Sequence, residues 1–439
     1  MPSDASSSSQ RLTRELGLFG AVMMGLGSIV GTGVFVSIGI AAGIAGPAVI
    51  IAVAIGALVA TCNGLSSAQL AANHAVSGGT YEYGYKYLTP RLGFTAGWMF
   101  LIAKSMSAAT AALGFSGYLL GAFGLEADGL LVPVALGAVV VLTGIVLSGL
   151  RRSNLTNIII VSITLATLAF FVGAGSPTAL SDGTANFANF FDPPGGEGGL
   201  RTLLYAAALM FVAYTGYGRI ATLGEEVREP RRIIPRAIIV TLLVTMVLYG
   251  SVAVVGVGVI GANGLSDATE GLAAPLEVAA RAFDIPGAPQ ILAFGAVTAM
   301  LGVLLNLILG LSRVLLAMGR RADMPTLFGT INAAGTTPVP AVLAVGTGIA
   351  LLTLIGDVKT TWSFSAFTVL IYYALTNLSA LNLSTDERLY PAWISATGLA
   401  ACASLAFFVE PEVWVPGMGL IVVGLAWHQV RSWQIGTPT

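Results

Sequence analysis

Lys104 is the residue whose chemistry fits its surroundings least, because no other charge occurs between Leu92 and Leu125. If that run is a membrane helix, Lys104 lies about twelve residues, or roughly 18 Å, along it. A cation near a bilayer centre costs about 2.5–3.5 kcal/mol on insertion scales, so a partner should face it. A fixed ammonium would favour neutral or acidic ligands and repel cationic ones. Alternatively, burial destabilises the charged form and makes the side chain a proton carrier. The structural alternative is pairing with carbonyl groups at a broken helix.

Two glycine clusters could supply such a break. Residues 25–33 (GLGSIVGTG) hold four glycines, and residues 214–218 (YTGYG) form a similar cluster. Each glycine costs a helix about 1 kcal/mol relative to alanine, so these segments are expected to unwind. Freed N–H groups can hold a carboxylate, and freed carbonyl oxygens can hold an ammonium or a metal cation. The alternative is close packing of intact helices through small residues.

The composition places these features in a membrane. Hydrophobic residues make up 56% of the 439 residues, charged residues only 9%, and the mean hydropathy is +0.86. A water-soluble globule, which carries about 25% charged residues, is excluded. The net charge of −1 gives no basic face for nucleic acid. Two cysteines and two histidines, distant in sequence, predict neither a metal site nor a cofactor.

Charge-free runs and proline-glycine breaks predict an all-α integral membrane protein with twelve transmembrane helices, each near the 20 residues that a bilayer requires. The predicted spans are 17–44, 48–72, 92–125, 129–150, 153–181, 202–218, 237–266, 285–312, 324–356, 360–385, 389–409 and 413–430. Alternating them across the membrane puts sixteen Lys or Arg residues on the side of both termini and three on the other. The positive-inside rule therefore predicts that both termini are cytoplasmic.

The glycine clusters fall in the first and sixth predicted spans, which begin two successive sets of five helices. Interrupted helices at matching positions of two halves are typical of inverted-repeat transporters. The expected organisation begins with a disordered cytoplasmic tail (1–14) and two five-helix repeats (15–181 and 182–385). Two further helices (386–430) and a second cytoplasmic tail (431–439) follow. In the external connection 261–286, a short amphipathic stretch around Leu276–Phe283 is expected to lie on the membrane surface.

Four motifs resemble those of the amino acid–polyamine–organocation permeases. They occur in the family's order along the whole chain: GSIVGTGVF at 27–35; SGGTYEY at 77–83 with GF at 93–94 and GW at 97–98; FVAYTG at 211–216 with GEEV at 224–227; and SR at 312–313 with AM at 317–318. The resemblance implies a five-plus-five inverted-repeat fold, like that of the sodium-coupled neurotransmitter transporters, plus two C-terminal helices.

The resemblance also assigns roles to individual residues. The substrate carboxylate would meet backbone N–H groups of the first break, and its amino group would meet carbonyl oxygens near Gly25–Leu26 and in the sixth helix. The substrate-binding residues of the first break are Ser28, Ile29, Val30, Gly31, Thr32 and Gly33; those of the sixth helix are Val212, Ala213, Tyr214, Thr215 and Tyr217. Tyr214 and Tyr217 are candidates for an aromatic gate or, equally, ordinary packed aromatics. Arg219 is a gate residue or an interfacial arginine. By the family arrangement Lys104 borders the pocket.

Both proton-coupled transport and uncoupled exchange are compatible with the sequence. Some proton-coupled relatives carry a lysine in helix five, where this chain has hydroxyl residues such as Thr164. Between Ile291 and Leu311 the single hydroxyl is Thr298, which argues against a sodium site built from side chains.

The function that these features favour is a permease in the plasma (cell inner) membrane that moves amino acids by alternating access. The substrate would be a neutral or acidic amino acid, moved with a proton or by exchange. Alternatives are a carrier of polyamines or other organic amines, a channel, and a membrane sensor. No constellation of catalytic residues suggests an enzyme.

Overall fold

A computed structural model describes residues 16–74, 78–125, 129–149, 154–181, 183–188, 190–191, 199–221, 227–332 and 337–435. The N-terminal tail predicted for residues 1–14 lies outside the described residues, as do Glu225 and Glu226. Across the described ranges the chain is helical, apart from turns, loops and one isolated β-bridge between Leu16 and Val227.

The α-helices of the described residues follow in chain order. In the first half they are α1 (Leu18–Ile29), α2 (Thr32–Phe35), α3 (Ser37–Ala45), α4 (Val49–Asn73), α5 (Thr80–Tyr87), α6 (Pro90–Ala122), α7 (Leu131–Leu147) and α8 (Asn154–Ser181). In the second half they are α9 (Leu200–Tyr214), α10 (Gly218–Ala221), α11 (Pro230–Leu272), α12 (Pro275–Ala280), α13 (Ala288–Arg320), α14 (Val339–Thr353), α15 (Val358–Leu381), α16 (Ala392–Leu405) and α17 (Pro411–Ile435).

Eight helical segments of the described chain are long and apolar enough to cross a bilayer, and four shorter apolar helices accompany them. Many of their large apolar side chains face outward, as in α11 and α17. In a water-soluble protein such surfaces would be covered, whereas lipid tails solvate them. The protein is therefore a multi-pass membrane protein.

The first glycine cluster does interrupt a helix, as predicted. α1 ends at Ile29, Val30 leaves the helical region (φ −80°, ψ 102°), and Gly31 is extended before α2 begins. An extended backbone suits any residue, so the reason for glycine at position 31 is space. A Cβ there would lie 2.6 Å from a methyl carbon of Val303.

At the second glycine cluster the helix changes to a tighter 3-10 turn and does not unwind. α9 ends at Tyr214, residues 215–217 form one 3-10 turn, and α10 continues from Gly218. Thr215 holds this turn, because both its backbone N–H and its hydroxyl donate to the carbonyl of Val212. The predicted unwinding is thus a local change of helix type, which tilts the peptide groups without freeing a long segment.

Helix α6 stands at the centre of the molecule, between α13 and α15. α1 packs against α11, α8 and the 3-10 turn, while α3 packs against α9 and α11. The inward face of α6 is built from small residues, including Ala103, Ala108 and Ala111, which are fully buried. This packing brings Lys104 beside the 3-10 turn.

Three expectations need correction. The stretch around Leu276–Phe283 does not lie on the membrane surface: α12 is buried against α11 and α13, and the backbone N–H of Leu276 donates to the hydroxyl of Tyr118. The seventh span is longer than predicted, because α11 continues past a kink at Gly261. The ninth is shorter, because prolines delay the start of α14 until Val339.

Candidate functional site

The two interrupted segments touch each other. A Cβ at Gly216 would lie 2.2 Å from the carbonyl oxygen of Ser28, and one at Gly33 would lie 2.6 Å from the Cβ of Ala213. Glycine is therefore required at both places by close approach of backbones. Tyr249 of α11 joins the two segments further, since its hydroxyl lies 2.9 Å from the carbonyl oxygen of Ile29 and 3.4 Å from that of Ala213.

A cavity of about 150 Å³ opens beside this contact. Its walls come from α1, the second break, α6, α13 and α15, together with the turn that precedes α5. Its lining residues include Ser28, Gly78, Gly79, Phe100, Lys104, Thr215, Gly216, Gly218, Arg219, Val303, Asn306, Arg313, Tyr372 and Tyr373.

Lys104 links the wall of α6 to the second break. Its side chain is buried, and the Nζ atom donates to the hydroxyl oxygen of Thr215 at 2.8 Å. The carbonyl oxygen of Thr215 accepts a hydrogen bond of 3.0 Å from the Tyr373 hydroxyl. An ammonium group has three N–H donors, so Lys104 keeps donor capacity beside the cavity.

The sequence comparison identifies the class of protein. The family profile described as amino acid permease matches residues 20–435. The chain belongs to the amino acid permease family. An uncharacterized transporter of Mycobacterium tuberculosis is 39% identical over 436 residues, covering 98% of this chain and 94% of its own. A branched-chain amino acid permease of Bacillus subtilis is 30% identical over 367 residues, covering 79% of this permease and 76% of its own. A vacuolar cationic amino acid transporter of Arabidopsis thaliana is 27% identical over 411 residues, covering 89% and 63%.

Ser28, Lys104, Thr215 and Arg219 line the permease cavity, as do Gly216 and Gly218 of the second glycine cluster. The other candidate site residues lie outside its wall. Residues 29–33 are buried in the packing of the first break, and residues 212–213 in that of α9.

The two candidate gate tyrosines are packed away from the cavity. Tyr214 is fully buried, its hydroxyl lies 3.4 Å from the carbonyl oxygen of Val53, and its ring contacts Tyr249. The ring of Tyr217 packs 5.4 Å from that of Tyr373. Thr164 is also buried, and its hydroxyl donates to a carbonyl of its own helix.

Sequence reasoning missed Phe100 and the pair Gly78–Gly79. Phe100 lies one helical turn before Lys104, and this i−4 spacing would have placed it on the same face. Gly78 and Gly79 belong to the SGGTYEY motif, but the motif gave them no role in the site, because a turn reaches the cavity only through tertiary packing. Both have positive φ angles, 141° and 57°, which glycine tolerates best.

On one side of the breaks, hydrogen bonds join neighbouring helices. The hydroxyl of Tyr118 on α6 donates to the carbonyl of Phe35 at 2.7 Å, and the Ser107 and Ser365 hydroxyl oxygens are 2.7 Å apart. The indole of Trp362 on α15 donates to the carbonyl of Leu209 on α9 at 3.1 Å. These bonds join α6, α15, α9 and the first break on the side opposite Arg219.

On the other side, α5 is fastened to the end of α13. The carboxylate of Asp323 accepts hydrogen bonds from Tyr81 at 2.6 Å and from Tyr85 at 2.7 Å. Arg321 forms an ion pair of 2.7 Å with Glu82 and lies over the Tyr85 ring. Burial and the neighbouring carboxylate raise the pKa of both tyrosine hydroxyls. We name this set the α5 clamp: Tyr81, Glu82, Tyr85, Arg321 and Asp323.

Proposed function

We propose that this permease carries amino acids across the plasma membrane by alternating access, with the substrate bound in the cavity between the two breaks. The proposed architecture has twelve crossings: two inverted five-helix repeats, at residues 15–181 and 182–385, followed by two helices. Both termini would be cytoplasmic, as the distribution of Lys and Arg indicates. One observation supports the proposal most: the cavity borders both interrupted segments and a buried lysine.

The contacts on the far side of the breaks fit alternating access. The hydrogen bonds of Tyr118, Ser107 and Trp362 lie toward the predicted exterior. The cavity wall extends the other way, to Gly78–Gly79, Arg219 and Arg313. The conformation would therefore face the cytoplasm, and opening outward would require the bonds of Tyr118, Ser107 and Trp362 to separate.

The proposed substrate is a neutral or acidic amino acid. The ammonium of Lys104 would repel a cationic side chain and attract a carboxylate over the short distances of the cavity. The relative named for branched-chain amino acids fits this choice. Plant relatives are named for cationic amino acids, so the choice rests on the charge of Lys104 and not on the names of relatives.

Coupling is proposed to involve either a proton or exchange. Lys104 could take up a proton when a carboxylate binds beside it, since binding of an anion and of a proton would then favour each other. In an exchanger the same lysine would stay charged. Replacing Lys104 by alanine would abolish uptake driven by a pH gradient in the first case and spare exchange at equal concentrations.

Counterflow in proteoliposomes tests the proposed function. Vesicles loaded with an unlabelled amino acid mixture should accumulate a labelled amino acid transiently and with saturation. Vesicles with heat-denatured protein are the control. A conductance that does not saturate would indicate a channel, and no exchange of any amino acid would reject the proposal.

A further inference from the structure

The charged residues in the cavity wall are all cations. Lys104, Arg219 and Arg313 line it, and no Asp or Glu is found in the described part of that wall. Over the whole chain the charge is nearly balanced, with twenty Lys or Arg and twenty-one Asp or Glu. The cavity therefore departs from the composition of the protein around it, and its field favours anions.

The deepest of these cations has no counter-ion. Lys104 is 9% exposed, and in the described chain no carboxylate lies within ion-pair distance of its Nζ atom. Its one described acceptor is the neutral hydroxyl of Thr215. A buried charge without an opposite charge is unfavourable, so the site is electrostatically incomplete until an anion enters it.

The cations are spaced along the depth of the cavity. Bonds between α5 and Asp323 show that the start of α6 and the end of α13 lie at the same side. Lys104 is fourteen residues from the start of α6, and Arg313 is seven residues from the end of α13, which is about 21 Å against about 10 Å. Arg313 is exposed near the mouth, whereas Lys104 is buried at the bottom.

From this arrangement we infer that the permease prefers amino acids with a second carboxylate, of the aspartate or glutamate class, with Lys104 binding one carboxylate and Arg313 attracting the substrate at the mouth. The inference rests on the proposed function and narrows its substrate. A neutral zwitterion brings one charge of each sign and leaves the Lys104 charge uncompensated. A dicarboxylic amino acid carries a net charge of −1 and neutralises it.

The cavity wall also offers acceptors for the substrate ammonium. Asn306 on α13 lines the cavity and offers an amide oxygen, and Tyr372 and Tyr373 on α15 offer hydroxyl oxygens. An ammonium at these groups leaves the carboxylates free to meet the cations. A basic amino acid would bring a second cation close to Lys104, for which no carboxylate partner is found in the described chain.

Competition counterflow in proteoliposomes tests the inference. Unlabelled L-glutamate, L-aspartate, L-leucine and L-arginine compete with a labelled amino acid that the wild-type protein exchanges. Glutamate or aspartate should compete at lower concentration than leucine, and arginine least. In Lys104→Met, half-maximal competition by glutamate should require on the order of 30-fold more ligand, as for loss of a buried charge partner. Competition by leucine should persist in that variant, which shows that it is folded; Lys104→Arg should retain the acidic preference.

Arg313→Gln tests the mouth, with Arg320→Gln as the matched control on the same helix outside the cavity wall. Arg313→Gln should raise the glutamate KM about two- to fivefold, and less at high salt, as expected for an exposed charge. Arg320→Gln should leave it unchanged. Saturable leucine exchange that neither glutamate nor aspartate inhibits would overturn this inference and leave the proposed function standing. Absence of exchange with every amino acid would remove both.

Discussion

A single methyl group added at Gly216 should force the two helix breaks apart. The new Cβ would lie 2.2 Å from the carbonyl oxygen of Ser28 and 2.6 Å from the backbone nitrogen of Ile29. Real Cβ contacts stay beyond 3.0 Å, so one of the two backbones must retreat by about 0.8 Å. The atoms in the way are backbone atoms of a packed segment, which no rotamer change can move aside.

The expected cost follows from that displacement. Overpacking a well-packed interior destabilises a protein by about 1–3 kcal/mol. A shift of about 1 Å in a positioned site can reduce its activity on the order of 100-fold. Gly216→Ala should therefore unfold at lower temperature and lose counterflow activity by about tenfold or more.

Gly250→Ala is the matched control, because a Cβ at Gly250 would meet no atom within 4 Å. Alanine favours a helix by about 1 kcal/mol over glycine, so this variant should be as stable as the wild type or more so. Both variants are compared by thermal unfolding in detergent and by counterflow in vesicles. If Gly216→Ala matches the control in both assays, the breaks do not approach as closely as described here.

Three further predictions concern the contacts around the site. Asp323→Asn should destabilise the α5 clamp by about 1–3 kcal/mol, because two tyrosine hydroxyls lose their charged acceptor. Thermal unfolding of this variant is compared with that of the exposed control Asp386→Asn, and equal melting temperatures would contradict the prediction. Tyr249→Phe removes the hydroxyl that joins the two breaks and should cost about 1 kcal/mol in unfolding free energy; an unchanged value would mean that the bond is not made. Burial, reinforced by the charge of Lys86, lowers the pKa of His74 from 6.5. The unfolded chain therefore binds a proton more readily than the folded protein, and stability should fall as the pH drops below 6.5. His74→Gln should flatten that decline in a pH series of melting curves, and an identical decline would assign it to other groups.

Much of this organisation could be predicted from the sequence because charges are so rare in it. Lys104 was recognisable as an ionisable residue in an apolar run. Because a charge facing lipid is costly, such a residue is expected to face the interior of the bundle or a cavity. The first break was predictable from glycine density. The second break was predicted at the right residues but as an unwound segment. It is a 3-10 turn, in which the Thr215 hydroxyl donates to the carbonyl of Val212.

Other features depend on tertiary packing that no local pattern reveals. Tyr214 and Tyr217 carry the right chemistry for a gate, yet their rings are held by Tyr249 and Tyr373 from other helices. The burial of α12 has the same origin. Its amphipathic pattern fits a membrane surface as well as a protein groove, and only the position of Tyr118 and α13 decides between them.

The most direct test of the account is a cryo-EM structure of the permease in lipid nanodiscs with a saturating amino acid that it exchanges. We expect a helix interrupted at Val30–Gly31 and ligand density between Ser28, Lys104 and Thr215. A continuous first helix, or ligand density at another place with this cavity empty, would contradict it.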